Sequence, residues 1–133
     1  MVRRATTDDR GSAVAEFALV LILLIVLLLG VLQVAVYLHV RNVVAASAAE
    51  GARYAANADV GVAAGAPRSS ELIGRSLGAR TQAKFACTAA PQVGAGGTTL
   101  VAVRCQGALT VFFAPLGRLL PVDVTARALK EGT

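Results

Sequence analysis

A long apolar run near the start of the chain limits what this sequence can fold into. Residues 17–38 are apolar apart from Gln33. A helix of these 22 residues extends about 33 Å, enough to cross a hydrocarbon core of about 30 Å. The apolar region of a signal peptide is shorter, at about 7 to 15 residues. We therefore predict a membrane-spanning helix that is retained rather than cleaved off after the span.

The orientation of this span follows from the basic residues beside it. The flank before the span contains three arginines, Arg3, Arg4 and Arg10, whereas residues 39–53 contain two, Arg41 and Arg53. This bias predicts a single-pass protein of the cytoplasmic membrane, with its amino terminus inside and its bulk outside the cytoplasm.

The helix is expected to continue beyond the membrane. Residues 40–58 are rich in alanine and contain no proline, a composition that favours helix. Small residues recur four apart, as in Ala48 and Ala52 or Gly51 and Ala55, and such spacing lets a second helix approach closely. The alternative is that alanine is simply common here.

The remaining part of the chain switches from helical to strand patterns. Residues 61–67 read as a linker closed by proline, and Ser69 or Ser70 begins an amphipathic helix to about Ala83. In this helix Leu72, Ile73 and Leu77 are expected to face inward and Arg75 and Arg80 outward. Period-two patterns from residue 85 then predict three or four antiparallel strands. The predicted segments are a glycine loop at 94–97, strand runs at 100–105 and 109–113, a turn at 115–117, a break at Pro121 and a last strand at 122–128.

These patterns predict an α+β fold class in three parts. Residues 1–11 form a cytoplasmic leader, residues 12–58 a transmembrane helix with a helical extension, and residues 59–133 a small extracytoplasmic domain. At 75 residues, this domain is near the lower limit for a self-sufficient apolar core.

Composition argues against an enzyme, a metal site or a nucleic-acid site. The single histidine, His39, lies at the outer end of the span, where an interfacial polar residue is a better interpretation than a catalytic base. The four carboxylates beyond Glu50 are too scattered to nominate an acid and base pair. The net charge of +5 comes from singly placed arginines and lysines rather than a basic cluster. We expect no catalytic residue, no cofactor, no bound metal and no specific nucleic-acid partner.

The two cysteines are expected to form a disulfide. Cys87 and Cys105 lie on predicted strands that flank the glycine loop, in the part of the chain placed outside the cytoplasm, where disulfides persist. On the chain-entropy model this bridge contributes about 3 kcal/mol. The alternative is a pair of buried free thiols.

The junction before the span carries a specific resemblance. The type IV pilin class has a processing pattern of glycine, four further residues, glutamate and then a hydrophobic helix, and a membrane aspartyl protease cleaves after the glycine. This chain resembles that pattern with Gly11, Glu16 and the apolar run. Residues 11–56 also resemble the TadE family of Tad (Flp, type IVc) pilus proteins, on the segments 16–20, 41–42 and 50–53. The major Flp pilins end soon after the span, so the additional domain here points to a minor pilin or an assembly component.

The resemblance implies roles for the junction residues and a set of partners. A prepilin peptidase would cleave between Gly11 and Ser12, and Glu16 with Phe17 would take part in helix pairing during assembly. Glu16 would meet the new terminal amine of a neighbouring subunit. The implied partners are other pilins, Tad assembly proteins and the lipid membrane, in a pilus used for adhesion or uptake. Two alternatives remain open: Glu16 only favours a helix amino terminus, or the chain is a single-pass anchored binding or sensor module that keeps its leader.

Overall fold

A computed structural model describes residues 9–110 and 119–132 and confirms the α+β class. Helix α1 (Asp9–Ala56) is followed by a 3₁₀ turn (Val62–Ala64) and the helices α2 (Gly65–Leu77) and α3 (Ala79–Gln82). The strands β1 (Phe85–Val93), β2 (Thr99–Thr110) and β3 (Leu119–Leu129) complete the chain. The turn predicted at 115–117, residues 111–113 of the second strand run and residues 1–8 of the leader lie outside the described residues.

Helix α1 is continuous for 48 residues and has two unlike halves. Residues 11–39, called here the free half, are exposed except for three half-buried side chains, Leu29, Gln33 and Tyr37. Residues 40–56, the docked half, bury one side against the domain, at Val40, Val44 and several alanines. The predicted continuation of the helix beyond the apolar run is therefore confirmed.

The three strands form one antiparallel sheet in the order β1-β2-β3. A short turn joins β1 to β2, and in it Gly96 and Gly97 have φ of 75° and 79°, a region that residues with a side chain rarely adopt. The predicted loop at 94–97 is thus confirmed. The predicted break at Pro121 is wrong, because β3 begins at Leu119 and pairs Pro121 with Ala108. Strand β3 is an edge strand, where a proline ring can point its nitrogen away from the neighbouring strand without losing a ladder hydrogen bond.

The second helix begins earlier and ends earlier than its sequence pattern predicts. Helix α2 begins at Gly65 and the 3₁₀ turn occupies Val62–Ala64, so most of the predicted linker at 61–67 is helical. Pro67 lies in the first turn, where backbone N–H groups have no partner within the helix, so proline is tolerated there. Gly78, with φ of 85°, ends the helix after Leu77. The predicted facing is confirmed, since Ile73 is buried, Leu72 and Leu77 are half-buried, and Arg75 and Arg80 are exposed.

The core lies between the docked half of α1, helix α2 and one face of the sheet. Alternate residues of each strand point into it, as the period-two pattern requires. The largest fully buried side chains are those of Ile73, Val44, Val101, Val103, Val122, Cys105 and Ser69. The core is therefore built mainly from valine and alanine together with Ile73, Phe85 and Cys105, and the fully buried α1 residues in it all belong to the docked half.

Candidate functional site

The predicted processing junction lies in the first two turns of α1 and is fully accessible. Gly11, Ser12, Glu16 and Phe17 are all exposed, and a Cβ placed on Gly11 would meet nothing within 4 Å. Ser12 and Glu16 are four residues apart, so their side chains lie on the same face of the helix. The junction is thus available to a partner, and it lies at the opposite end of α1 from the domain.

The position of Glu16 along α1 tests one explanation for its carboxylate, namely stabilisation of the helix amino terminus. The described part of helix α1 already includes Asp9, seven residues before Glu16, whereas the helix dipole acts mainly within the first turn. None of the three ion pairs found in residues 9–110 and 119–132 involves Glu16. A role restricted to stabilising the helix amino terminus therefore explains this carboxylate poorly.

The small residues of α1 pack against α2 of the same chain, which confirms the predicted close helix approach. A Cβ on Gly51 would lie 2.5 Å from the carbonyl oxygen of Gly65 and nearer still to the Ser69 side chain. A Cβ on Gly65 would in turn lie 3.1 Å from the Cβ of Ala55. Ser69 is fully buried and donates its hydroxyl proton to the Gly65 carbonyl over 2.9 Å. The two backbones can approach this closely only because both helices carry glycine at the contact.

Side-chain hydrogen bonds near both ends of the docked half connect α1 to β3 and to Lys130 just after it, a feature that the sequence analysis missed. The ammonium group of Lys130 donates to the carbonyl oxygens of Ala55, Asn57 and Val60, over 3.2, 2.5 and 2.7 Å. These carbonyls lie at or just past the last turn of α1, where a cation is favoured by the helix dipole. Near the other end, Tyr37 donates its hydroxyl proton to the Pro121 carbonyl oxygen over 3.2 Å. No local pattern marks these residues, because their partners are 70 to 84 positions away in the chain.

The structure contains the expected disulfide on the inner face of the sheet. Cys87 and Cys105 are directly opposite each other on β1 and β2, with their Cα atoms 4.1 Å apart. Cys105 is fully buried and Cys87 half-buried. The bridge therefore fastens an edge strand to the central strand beneath the helices.

The outer face of the sheet carries a bidentate ion pair. Arg104 on β2 donates through Nε and Nη2 to the two carboxylate oxygens of Asp123 on β3, over 2.9 and 2.5 Å. This hydrogen bonding lowers the pKa of Asp123 below its ordinary value, against an opposing effect of burial and with a still smaller contribution from the charge of Arg104. The same contact raises the pKa of Arg104. Both groups are solvent-exposed, so we interpret the pair as a cross-strand contact rather than a catalytic group.

Together these features define a class of protein: a small α+β domain carried on one long helix whose free half is apolar. Within the described residues, this helix is long and apolar enough to cross a membrane, and its most apolar stretch is wholly unburied. Such a structure is consistent with single-pass membrane anchoring.

Comparison with known families agrees with the resemblance found in the sequence. The family model described as TadE-like protein matches residues 11–53, which is about a third of the chain. The matched segment is almost all of α1 and includes both the junction and Gly51. Neither the search of curated proteins nor that of solved structures returned a match. The likeness to TadE-like proteins therefore rests on the long helix, and the small domain lies outside it.

Proposed function

We propose that this chain is a TadE-like minor pilin, or pseudopilin, that takes part in assembly of a Tad (type IVc) pilus used for adhesion or uptake. The match to the TadE-like family over residues 11–53 supports a pilus-related protein of this kind. The role is structural rather than enzymatic. The proposed partners are a prepilin peptidase, other pilins and Tad assembly proteins, which meet the chain through its amino-terminal helix.

The observation that carries the proposal is the position of the junction on α1. Gly11 and Glu16 lie at the accessible end of an apolar half-helix that packs against little of its own chain. A carboxylate near hydrocarbon costs roughly 2.5 to 3.5 kcal/mol on insertion scales and is normally paired. A pairing partner supplied by a neighbouring subunit would offset this cost.

The proposed processing step creates that partner. Cleavage of the peptide bond after Gly11 by water would leave a carboxylate on Gly11 and an amine on Ser12, in a mature chain of 122 residues. Glycine has no side chain to exclude a protease from the backbone. The Glu16 carboxylate of one subunit would then accept hydrogen bonds from the Ser12 amine of the next, which would set their axial stagger.

The proposed topology has residues 1–11 in the cytoplasm and the domain of residues 59–133 outside. The arginine bias beside the span supports this orientation, and so does the disulfide, because such bonds persist outside the cytoplasm.

The deciding experiment compares Glu16→Ala and Glu16→Asp with the wild type at matched membrane levels. Glu16→Ala removes the insertion cost, so membrane yield should be unchanged or higher while recovery in sheared pilus fractions falls. Glu16→Asp keeps the charge but shortens its reach, so we expect an intermediate defect. Intact mass of each protein reports whether residues 1–11 have been removed.

The matched control is Asp59→Ala, which removes an exposed carboxylate outside the family-matched segment and should assemble as the wild type does. Normal pilus number and normal incorporation of Glu16→Ala would refute the assembly role. A wild-type protein that retains residues 1–11 in cells with an active prepilin peptidase would instead support the anchored binding or sensor module.

A further inference from the structure

An apolar groove separates the free half of α1 from the adjacent end of the sheet. Its floor includes Leu32 and Val36 on the helix and Leu109 and Leu120 on β2 and β3, and it encloses about 690 Å³. This volume is within the range of sites that bind small molecules, about 300 to 1,000 Å³. The groove is open along one side and is described here as the interfacial groove.

The interfacial groove lies beside the outer end of the apolar run. The run ends at Leu38, and the groove extends back along the helix to Leu29. Nine residues of helix correspond to about 13 Å, so this end of the domain overlaps the last turns of the span. If α1 crosses a bilayer, the groove opens into the boundary between headgroups and acyl chains rather than into water.

The rim of the groove is polar and positively charged. Lys84, Thr81 and Thr110 line it on the domain side, and Lys84 is exposed with Nζ 3.4 Å from the Thr110 hydroxyl oxygen. No ion pair among residues 9–110 and 119–132 engages Lys84. A lysine stem can lie along apolar surface while its ammonium group reaches the headgroup level.

We propose that the interfacial groove binds an anionic phospholipid of the outer leaflet. One acyl chain lies on the leucine and valine floor, and the Lys84 ammonium group contacts the headgroup phosphate. The apolar floor continues the surface of the span, and Lys84, the one cation that lines the groove among the described residues, is complementary to an anionic headgroup. Apart from Gln33 and Tyr37, the helix residues that line the groove have large aliphatic side chains, whereas a second helix would be accommodated by small ones.

The test is photo-crosslinking of the full chain in nanodiscs containing equal parts of phosphatidylglycerol and phosphatidylcholine. A benzophenone amino acid replaces Leu120 in the groove or, as a reference, Leu23, which is exposed on the span away from the domain. We expect the ratio of phosphatidylglycerol to phosphatidylcholine adducts at position 120 to exceed that at position 23 about fivefold. This corresponds to about 1 kcal/mol for one lysine near a membrane surface.

Charge variants identify the residue responsible. Lys84→Glu should lower the ratio at position 120 to the reference value or below, and Lys84→Arg should keep the enrichment. The matched control Arg80→Glu changes an exposed cation that does not line the groove and should also keep the enrichment.

Equal ratios at the two positions would overturn the proposal, as would enrichment that survives Lys84→Glu. Crosslinks from position 120 mainly to another copy, or to residues 111–118 of the same chain, would also overturn it by assigning the groove a different occupant. The experiment needs the span to lie in a bilayer but does not need leader removal, so its result is independent of the proposed pilus role.

Discussion

At the residue scale, Gly51 decides how closely the docked half of α1 and helix α2 approach. Its missing side chain leaves room for the Ser69 hydroxyl and the Gly65 carbonyl oxygen. The same residue lies inside the segment that matches the TadE-like family. The physical reason for glycine at this position is therefore close packing, and no unusual backbone conformation is involved, since its φ is not positive.

Gly51→Ala should destabilise the domain by about 1 to 3 kcal/mol, the usual penalty for forcing extra atoms into a packed contact. The measurement is denaturant unfolding of the full chain in detergent micelles. Gly61→Ala is the matched control, because a Cβ there meets nothing within 4 Å. Combining Ser69→Ala with Gly51→Ala should recover only part of the lost stability, because the Gly65 carbonyl oxygen remains 2.5 Å from the new Cβ. Equal stability of the Gly51 and Gly61 variants would contradict this packing argument.

Asp123 should titrate below the ordinary range for an aspartate. Its pKa is lowered mainly by the hydrogen bonds from Arg104, so its folded pKa is below its unfolded value of about 3.9. The stabilising effect of this ion pair is therefore fully present above pH 4 or so and is lost as the pH falls through the folded pKa.

The pH dependence of the carboxyl-carbon NMR chemical shift gives the midpoint of the Asp123 titration directly. Arg104→Met should return the pKa of Asp123 towards its ordinary value. Arg75→Met, which removes a partner of Glu71 instead, should leave the Asp123 midpoint unchanged. An Asp123 midpoint that does not move in Arg104→Met would mean that the cross-strand pair does not form in solution.

At the element scale, α1 is one continuous helix whose two halves lie in different environments. Its docked half is held by small-residue packing and by Lys130 at its end, and Tyr37, just before the docked half, adds a hydrogen bond to β3. Its free half has few contacts with the rest of the described chain. The domain thus holds the helix in a defined direction, and the apolar surface of the free half is left for a bilayer or for other helices.

Lys130→Met should destabilise the domain by about 1.5 to 3 kcal/mol, because three hydrogen bonds from a charged donor to helix-end carbonyls are lost. Hydrogen exchange should also become faster for backbone amides near the end of α1. Arg80→Met, which removes an exposed cation at the surface, is the control and should change stability little. A Lys130 variant no less stable than this control would show that the ammonium group is not an effective cap.

At the scale of the whole molecule, the disulfide and the span predict where the domain lies. Cys87 and Cys105 are bridged, and the proposed topology places them outside the cytoplasm. In intact cells, a membrane-impermeant maleimide should label neither cysteine until a reductant is added and should label the half-buried Cys87 afterwards. Labelling without reductant would contradict the bridge, whereas labelling only after permeabilisation would contradict the orientation.

Removing the bridge also tests its energetic contribution. The double variant Cys87→Ala with Cys105→Ala should lose about 3 kcal/mol on the chain-entropy model for a loop of this length. For a domain with such a small core, the loss is large enough to affect folding at physiological temperature. A double variant as stable as the wild type would show that the helices alone hold the sheet together.

The sequence by itself determined the features that depend on local periodicity. The apolar run, the alanine-rich continuation of α1, the alternation along β2 and the cysteine pair each carry their signal within a few residues, because helix and strand have fixed repeats. The junction at Gly11 and Glu16 stays a prediction, made from its resemblance to the type IV pilin processing pattern.

Only the tertiary structure decided the features that depend on distant partners. Gly65 begins a helix because it packs against Gly51, Pro121 stays in a strand because that strand lies at a sheet edge, and Lys130 caps a helix whose end is more than 70 positions away. The interfacial groove likewise exists because the ends of β2 and β3 come to lie beside the span. Which residues meet in these contacts is set by how the helix docks on the sheet, and no local repeat encodes that arrangement.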